Sequence, residues 1–294
     1  MHLDPLSLRL FIAVIEEGTI AQAAQRCHIA ASAVSKRLSE LEDSLQTSLL
    51  ERTNKGVAPT AAGIELLQLA RSALNELEQV NVRMRDFASG LRDHVRVFAN
   101  ISAITQFLPR EISTFLASYP QVQVHLEEKI SAHVTQAVAE NAADIGIIAR
   151  GLYGQALEKF PYHSDELIVI TPSQHPLSQR QQVTFAELLD YDFVGLHTGS
   201  AINMQLQKAA SALERQIKLR MQVTSFDALC LMVEAGLGIG ILPKAVARPY
   251  RATLGIHGLE LKEPWAAREL LICVRSYQAL PRAARLLVDH LRQL

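Results

Sequence analysis

The hydrophobic periodicity of this 294-residue chain changes at Val95. Up to about Gly90 the apolar residues recur at helical spacing, whereas from Val95 onward short apolar runs alternate with helical segments. The length also suits two domains better than one core. We therefore expect a helical N-terminal part followed by a separate α/β part.

Three short helices are predicted in the first 45 residues. The first carries apolar residues at helical spacing and stops at Gly18: Leu6, Leu8, Leu10, Phe11, Val14 and Ile15. Thr19 and Gln22 match a capping box, which starts a second helix over about Ile20–Cys27. After a tight break at His28–Ala31, Ser32 can cap a third helix that turns Val34, Leu38, Leu41 and Leu45 inward. This arrangement is that of a helix-turn-helix.

A hairpin and a long helix follow. Leu49–Thr53 and Val57–Pro59 flank Asn54-Lys55-Gly56, and Gly56 can adopt the positive φ that such a turn needs. Thr60 then caps a helix that runs to about Gly90. Apolar or small residues step along it by threes and fours: Leu67, Ala70, Leu74, Leu77, Asn81, Met84, Ala88 and Leu91. This stripe predicts pairing with the same helix of a second subunit, and the alternative is packing onto its own domain.

From Val95 a βαβαβ run is predicted. Its strands are Val95–Ala99, Val122–Leu126 and Asp144–Ile148, and its helices cover about Thr105–Ser118 and Val134–Glu140. Further strands and helices follow at Leu167–Thr171, Asp192–Leu196, Ile202–Leu213, Lys218–Val223, Asp227–Ala235 and Glu269–Val274, with a terminal helix from Pro281. These segments favour two α/β lobes that bind a ligand at the carboxyl ends of their strands.

Composition excludes several classes of protein. The apolar fraction of 49% supports a folded core, and the longest apolar run is too short for a membrane span. The first residues do not resemble a secretory signal, and three widely spaced cysteines form no disulfide or zinc pattern, so we expect a cytoplasmic protein. The histidines show no metal-ligand spacing, no nucleophile motif is present, and Gly236–Gly240 reads as a helix end and buried turn. We therefore expect no cofactor, metal or catalytic residue.

Several motifs resemble the LysR-type transcriptional regulators. In the first 63 residues they are Ala23-Ala24-Gln25-Arg26, Ser32-Ala33-Val34-Ser35-Lys36, Leu41-Glu42, Leu49-Leu50-Glu51-Arg52 and Pro59-Thr60-Ala61-Ala62-Gly63. Further along they are Pro109, Tyr119-Pro120, Asp144-Ile145-Gly146 and Gly236–Pro243. The resemblance implies a multidomain α/β protein with a winged helix-turn-helix at 1–60, a linker and dimerisation helix at 61–91 and an effector-binding domain at 92–294. Lobe I would comprise about 92–163 and 268–294, and lobe II about 164–267.

The same resemblance implies double-stranded promoter DNA as a partner. The net charge of −1 does not oppose this, because Thr19–Ser39 and Arg52–Ile64 contain basic residues and no acid. The candidate DNA-binding residues are Ser32, Ala33, Ser35, Lys36, Arg37, Arg52, Lys55 and Thr60. Where the family usually has a polar cap and a glutamine, this chain has Ala30 and Ala31, which shifts base reading toward Ser32, Ser35, Lys36 and Arg37.

A small-molecule effector is the second implied partner, with a homodimer through the linker helix and a homotetramer as the assembly. The candidate effector-binding residues are Asn100, Ile101, Ser102, Ser131, Ala149, Arg150, His197, Ser200, Thr224 and Ser225. Several of the serines lie near predicted helix starts, where free N–H groups favour an anion, so we expect a small organic anion. The alternative for each serine is that it only caps its helix.

Two other functions compete with effector-responsive transcription control. A solute-binding or sensor protein would use the first 60 residues for partner contacts and would show no salt-sensitive DNA affinity. An enzyme would need a nucleophile, base or metal constellation in the cleft, and none is found in the sequence.

Overall fold

The computed structural model describes residues 3–53, 56–89, 93–151, 153–154 and 156–293. They form two compact units, one comprising Met1–Leu91 with Glu140–Ala142 and the other Arg92–Ala139 with Ala143–Leu294. The first unit begins with three helices, α1 (Pro5–Glu17), α2 (Ile20–Arg26) and α3 (Ala31–Leu45). The three helices predicted from the sequence are thus confirmed, and their buried residues include Phe11, Ala23, Val34 and Leu38.

Local residues explain where α1 ends and where α2 begins, but the predicted cap of α3 is not found. Gly18 ends α1 in the left-handed conformation, with φ of 73°, and Thr19 caps α2 by accepting from the Gln22 N–H. The Thr19 hydroxyl donates to Oε1 of Gln22 at 2.7 Å, a variation on the predicted capping box. The prediction that Ser32 caps α3 is wrong, since the N-cap is Ala30, whose side chain has no hydrogen-bonding atom.

The hairpin is confirmed as two antiparallel strands, β1 (Leu50–Thr53) and β2 (Gly56–Pro59). Gly56 has φ of 134°, and a Cβ there would lie 2.3 Å from the Gly18 carbonyl oxygen, so the position excludes larger residues. Thr60 caps the long helix α4 (Ala61–Ser89) by accepting from the Gly63 N–H at 3.0 Å. The predicted end of this helix near Gly90 lies outside the described residues.

Helix α4 changes its surroundings along its length. Leu66 and Ala70 are buried in the core of the first unit, and Leu67 and Leu74 pack against it. Ala70 is therefore covered by its own domain, which is the alternative considered for the predicted stripe, while Leu67 and Leu74 pack against the same core and remain partly exposed. An exposed apolar stripe lies to one side of them and comprises Leu69, Ala73, Leu77, Val80 and Met84.

The second unit begins with lobe I, which confirms the βαβαβ prediction. Its elements are β3 (Asp93–Ala99), α5 (Ile101–Gln106), α6 (Leu108–Ser118), β4 (Val122–Glu128), α7 (Ser131–Ala139) and β5 (Ile145–Ala149). The single helix predicted over Thr105–Ser118 is instead two helices, because the backbone breaks at Phe107 and Pro109 occupies the first turn of the second. Strand β3 lies between β4 and β5, and all three are parallel.

Lobe II contains more elements than the sequence indicated. They are β6 (Glu158–Pro172), β7 (Gln182–Val183), α8 (Phe185–Leu188), β8 (Asp192–Leu196), α9 (Ala201–Ala212), β9 (Lys218–Val223), α10 (Phe226–Glu234), β10 (Gly240–Pro243), α11 (Lys244–Thr253) and β11 (Ile256–Leu261), and the chain returns through β12 (Ala267–Val274) and α12 (Arg282–Arg292). Gly236, with φ of 76°, follows α10, and Gly238 passes close to the Asp192 carbonyl oxygen, so this glycine run does end a helix as predicted.

Strand β6 is shared by the two lobes. Its first half, Glu158–Glu166, pairs with β12 in lobe I, and its second half pairs with β10 and β11 in lobe II. Strand β8 joins lobe II through its neighbour β9 and a bridge from Phe193 to Ile239. The carboxyl ends of β3 and β4 and of β8 thereby meet at one cleft.

Candidate functional sites

The first candidate site is the exposed face of α3. Ser32 and Lys36 are exposed, and Ala33 and Ser35 are half-buried beside the core residues of the helix. The Lys36 side chain is 78% exposed and has only a 3.8 Å contact to Glu40 one turn away. Because no side chain caps α3, the first N–H groups of the helix remain open to an outside acceptor such as a phosphate.

Two of the predicted basic groups are neutralised inside the first unit. Arg37 donates to Asp4 at 2.9 Å, and Arg26 binds both Glu16 and Glu17. The Ser7 hydroxyl, which donates to Asp4, holds the pKa of that carboxyl below its ordinary value. Arg37 is therefore tied to the start of α1, and Lys36 is the basic group of α3 that extends further into solvent.

The wing is held by groups that the sequence did not single out for this purpose. A Glu42 carboxylate oxygen accepts from the N–H groups of Leu49 and Leu50 at 2.7 and 3.1 Å, which fixes the start of β1. The Thr60 hydroxyl donates to the Ser48 carbonyl in addition to capping α4. Lys55 and the side chain of Arg52 lie outside the described residues.

The second candidate site is the cleft between lobes I and II. Six of the predicted effector residues line a cavity there: Asn100, Ile101, Ser102, Ser131, His197 and Ser200. Six further residues complete the lining: Glu128, Lys129, Ile130, Leu196, Ala201 and Ile202. The cavity encloses about 20 Å³, which is the room of about one water molecule, so a larger ligand requires the lobes to separate.

The hydroxyl groups in the cleft already accept hydrogen bonds from the protein. Ser200 caps α9 by accepting from the Asn203 N–H at 3.2 Å, and Ser102 accepts from Nη2 of Arg268 at 3.1 Å. Each of these two hydroxyls keeps its hydrogen for a ligand. Since Ala201 and Ile202 begin α9, their N–H groups also lack helical acceptors.

Asn100 and Ser131 belong to a network inside lobe I. Asn100 caps α5 through its Oδ1 atom and donates to Ser131 at 3.4 Å, and Ser131 also accepts from the Ala149 N–H at 3.2 Å. A hydrogen bond from Ser131 reaches Tyr153, whose pKa is raised by burial. These side chains therefore shape one wall of the cleft, with their polar atoms largely satisfied.

Four predicted effector residues do not line the cavity. Ala149 is buried under Ser131, and Arg150 forms an ion pair with Glu269 at 2.5 Å. Ser225 caps α10 through the Ala228 N–H, which is the alternative considered for each serine, and Thr224 is exposed. Two of the six lining residues that were missed lie at the end of β4: Glu128 is its last residue and Lys129 follows it, and the predicted end of the strand at Leu126 was two residues short.

The cleft carries charges of both signs. Burial raises the pKa of Glu128 above its ordinary value, although the nearby His197 opposes the shift. Lys129 binds Glu127 at 3.0 Å. Nδ1 of His197 is buried and has no hydrogen-bond partner in the described part of the chain. An anion can therefore meet hydroxyl, imidazole and amine groups here, with Glu128 as the opposing charge.

The described residues offer neither a metal-binding cluster nor a membrane-spanning helix. Among the described residues no cluster of three or more His, Cys, Asp or Glu side chains could hold a metal ion. Nor does any helix within the described ranges combine the length and apolarity needed to cross a bilayer.

Two family models match the chain. Residues 6–64 match the bacterial regulatory helix-turn-helix protein of the lysR family, and residues 88–294 match the LysR substrate binding domain. The curated relative "Probable HTH-type transcriptional regulator LrrA" of Synechococcus elongatus is 31% identical, over 86% of this chain and 85% of its own length. The "Uncharacterized HTH-type transcriptional regulator YbhD" of Escherichia coli (strain K12) is 27% identical, over 95% and 87%.

Solved structures share the fold. Full-length CbnR in complex with its target DNA is 22% identical, with a TM-score of 0.64 and 99% of each chain covered. The CcmR regulatory domain of Synechocystis PCC6803, in complex with 2-PG, is 20% identical, with a TM-score of 0.63, and covers 69% of this chain and 97% of that domain.

Proposed function

This chain belongs to the LysR family of transcriptional regulators, and from that premise we propose how its two sites divide the work. The helix-turn-helix unit binds double-stranded promoter DNA through α3 and the wing. The cleft binds a small organic anion, and the movement of the lobes that admits and then encloses this effector changes promoter binding or activation.

The exposed face of α3 supports the DNA part of the proposal. Lys36, Ser32 and Ser35 lie on the first turns of the helix, which is where recognition helices contact base edges. The uncapped start of α3 can bind a phosphate through its backbone N–H groups. We assign base reading to Lys36 with the two serines, phosphate contact to Arg52 and Lys55, and support of the wing and linker to Thr60. Arg37, held by Asp4, orients α3 against α1.

A footprint of the full-length protein on the DNA upstream of its own gene tests this assignment. We expect protection over several helical turns that weakens as salt increases. Lys36→Ala should reduce the salt slope by about one and change the base preference. Lys208→Ala removes an equal charge from an exposed position in the other unit and serves as the control. Unchanged binding of Lys36→Ala would contradict the assignment.

The hydrogen-bonding state of the cleft carries the effector part of the proposal. The hydroxyls of Ser102 and Ser200 accept from protein N–H groups and so face a ligand as donors. Together with the start of α9 they suit a ligand rich in acceptors, such as a carboxylate or phosphate. CcmR, which shares the fold of this domain, was solved with 2-PG, an observation that makes 2-PG a reasonable first probe.

Calorimetry on the full-length protein tests the effector class. We expect 2-PG or small carboxylates to bind more tightly than uncharged polyols of similar size. Ser200→Ala, which removes a donor at the start of α9, should weaken anion binding several-fold. Ser225→Ala removes a helix cap outside the cavity and is the matched control. Tight binding of neutral or cationic compounds alone would refute the proposal.

The remaining parts of the proposal concern the oligomeric state and the cellular location of the protein. We propose a homodimer through the exposed stripe of α4, and a homotetramer formed from two such dimers. Because the target is promoter DNA, we place the protein in the cytoplasm and assign it no catalytic step. The solute-sensor alternative would be favoured instead if the footprint were absent at low salt both with and without 2-PG.

A further inference from the structure

Two antiparallel strands, β6 and β12, connect lobe I with lobe II. Strand β6 changes partners after Glu166, where it leaves β12 and joins β10 and β11. Strand β12 has a register shift between Glu269 and Leu271 on the same crossing. Asp165 and Arg268 are directly paired in register there. Any relative movement of the lobes has to pass through this pair of strands.

The side chains of Arg268 and Asp165 form a buried ion pair at the crossing. Nε of Arg268 donates to Oδ1 of Asp165 at 2.8 Å, and Nη2 donates to Oδ2. Only 10% of the Arg268 side chain and 3% of the Asp165 side chain are exposed. Gln106, at the end of α5, donates to the same carboxylate at 2.9 Å. The crossing is thus bound to α5 through polar contacts.

The same guanidinium also reaches the effector cleft. Nη2 of Arg268 donates to the hydroxyl of Ser102 at 3.1 Å, and Ser102 lines the cavity at the first turn of α5. Arg268 itself does not line the cavity. Its planar fork holds Ser102 and Asp165 at once, which a single ammonium group matches poorly. The ion pair therefore fixes one cleft hydroxyl relative to the strands that join the lobes.

We propose that Arg268, held by Asp165, is a positioning residue for the effector: it orients the Ser102 hydroxyl as a donor and links effector contact there to the crossing strands. The inference rests on the proposed anion-binding function of the cleft. In the described part of the chain nothing pairs with Nη1 of Arg268 or with Oε1 of Gln106, although both atoms are buried. The network can consequently gain hydrogen bonds by rearranging when the lobes move.

A second ion pair provides a matched control. Arg96 and Asp144 in lobe I pair at 2.8 Å with similar burial, and Asp144 also accepts from the Arg96 backbone N–H. Neither residue lines the cavity. Arg96→Gln therefore removes a comparable ion pair from the same domain without disturbing Ser102.

The test measures sulfate binding to the full-length protein by thermal unfolding at rising sulfate concentration, with ionic strength held constant by chloride. A ligand that binds the folded state stabilises it by RT ln(1 + [L]/Kd), so the rise of Tm with sulfate concentration reports the affinity, and general stabilisation by sulfate affects every variant alike and cancels. The variants are Ser102→Ala, Arg268→Lys, their double mutant and Arg96→Gln. Arg268→Lys keeps a positive charge beside the buried Asp165 carboxylate. The variant is therefore expected to fold, so that a change in sulfate affinity can be measured.

We expect Ser102→Ala and Arg268→Lys each to weaken sulfate binding about tenfold and the double mutant to weaken it no further, because both act through one hydroxyl. Arg96→Gln should lower the starting Tm and keep the wild-type affinity. Wild-type sulfate affinity in Arg268→Lys, or additive losses in the double mutant, would overturn this inference. Either result would leave the proposed anion site in the cleft standing. If sulfate raises the Tm of the wild type no more than that of Ser102→Ala, the cleft does not bind the anion. That result would overturn both the proposed effector site and this inference.

Discussion

Glu128 illustrates how a single side chain can set the response of the cleft. It is an acid in a lining whose other polar side chains can donate hydrogen bonds, and burial raises its pKa. In its ionised form it opposes a bound anion, and in its protonated form it does not. Affinity for an anion should therefore increase as pH falls toward the raised pKa of Glu128.

Glu128→Gln tests this at the residue scale. Removal of one opposing charge should strengthen sulfate binding at neutral pH by about 1 kcal/mol, or about fivefold. The variant should also show a smaller increase in affinity than the wild type as pH falls, since the contribution of Glu128 is removed while sulfate keeps its charge and the His197 imidazole is unchanged. Titration calorimetry between pH 5 and 8 would measure both, with exposed Glu214→Gln as the control. A pH profile identical to that of the wild type would exclude this role for Glu128.

Gly146 shows a packing requirement at the same scale. A Cβ at this position would lie 2.6 Å from both Sγ of Cys273 and a methyl carbon of Val134. We expect Gly146→Ala to lower the free energy of unfolding by about 1–3 kcal/mol through overpacking. Gly255→Ala, where the nearest atom is 3.8 Å away, should have little effect. Denaturant unfolding of the two variants would compare them directly.

At the scale of elements, the wing depends on an acid from the preceding helix. Glu42 on α3 accepts from two consecutive N–H groups at the start of β1, and charged acceptors give the stronger hydrogen bonds. The recognition helix and the wing are thus held in one arrangement. Their relative position is what allows a helix and a hairpin to contact DNA together.

Glu42→Gln should weaken both stability and DNA binding. The amide can still accept, but without charge, so we expect a loss of about 1–2 kcal/mol in the free energy of unfolding. Footprint affinity should fall with it because the wing is less well fixed. Glu40→Gln changes an exposed acid two residues earlier on the same helix and should leave stability unaltered. Equal stability of the two variants would show that the Glu42 contacts contribute nothing.

At the scale of the whole molecule, α4 carries the surface that a second subunit would cover. Leu77, Val80 and Met84 are 48%, 56% and 60% exposed and continue the line of Leu69 and Ala73. A stripe of this kind is costly in water unless it is covered. The face of the helix that carries Leu66 and Ala70 cannot serve the same purpose because both residues are already buried.

Charges introduced into this stripe should separate the subunits. We expect the double variant Leu77→Glu, Val80→Glu to sediment as a smaller assembly than the wild type and to lose most of its footprint, since paired half-sites need paired subunits. Ile64→Glu changes an exposed residue of the same helix that lies off the stripe. Sedimentation velocity would compare them. A double variant that sediments like the wild type would show that the stripe is not a subunit interface.

The sequence by itself determined the order of the elements and the family. The helix-turn-helix and the linker were located by the helical spacing of apolar residues and by three helix-end residues, Gly18, Thr19 and Thr60. Each of these signals depends only on residues a few positions away. The same holds for the βαβαβ run and for six of the cavity residues, which lie in the loops or helix starts that follow predicted strands. Short segments such as β7, β10 and β11 were missed, since their strand character comes from pairing with distant residues and not from their own pattern.

The tertiary structure decided which polar groups remain free. Local sequence made Ser102, Ser131, Ser200 and Ser225 equivalent candidates, and only the fold showed that Ser225 is a cap outside the cavity and that Ser131 is engaged in lobe I. The pairing of Arg37 with Asp4 and of Arg268 with Asp165 joins residues 33 and 103 positions apart. Such partners are decided by how the elements pack. The sequence around a charged residue does not indicate which distant residue will form an ion pair with it.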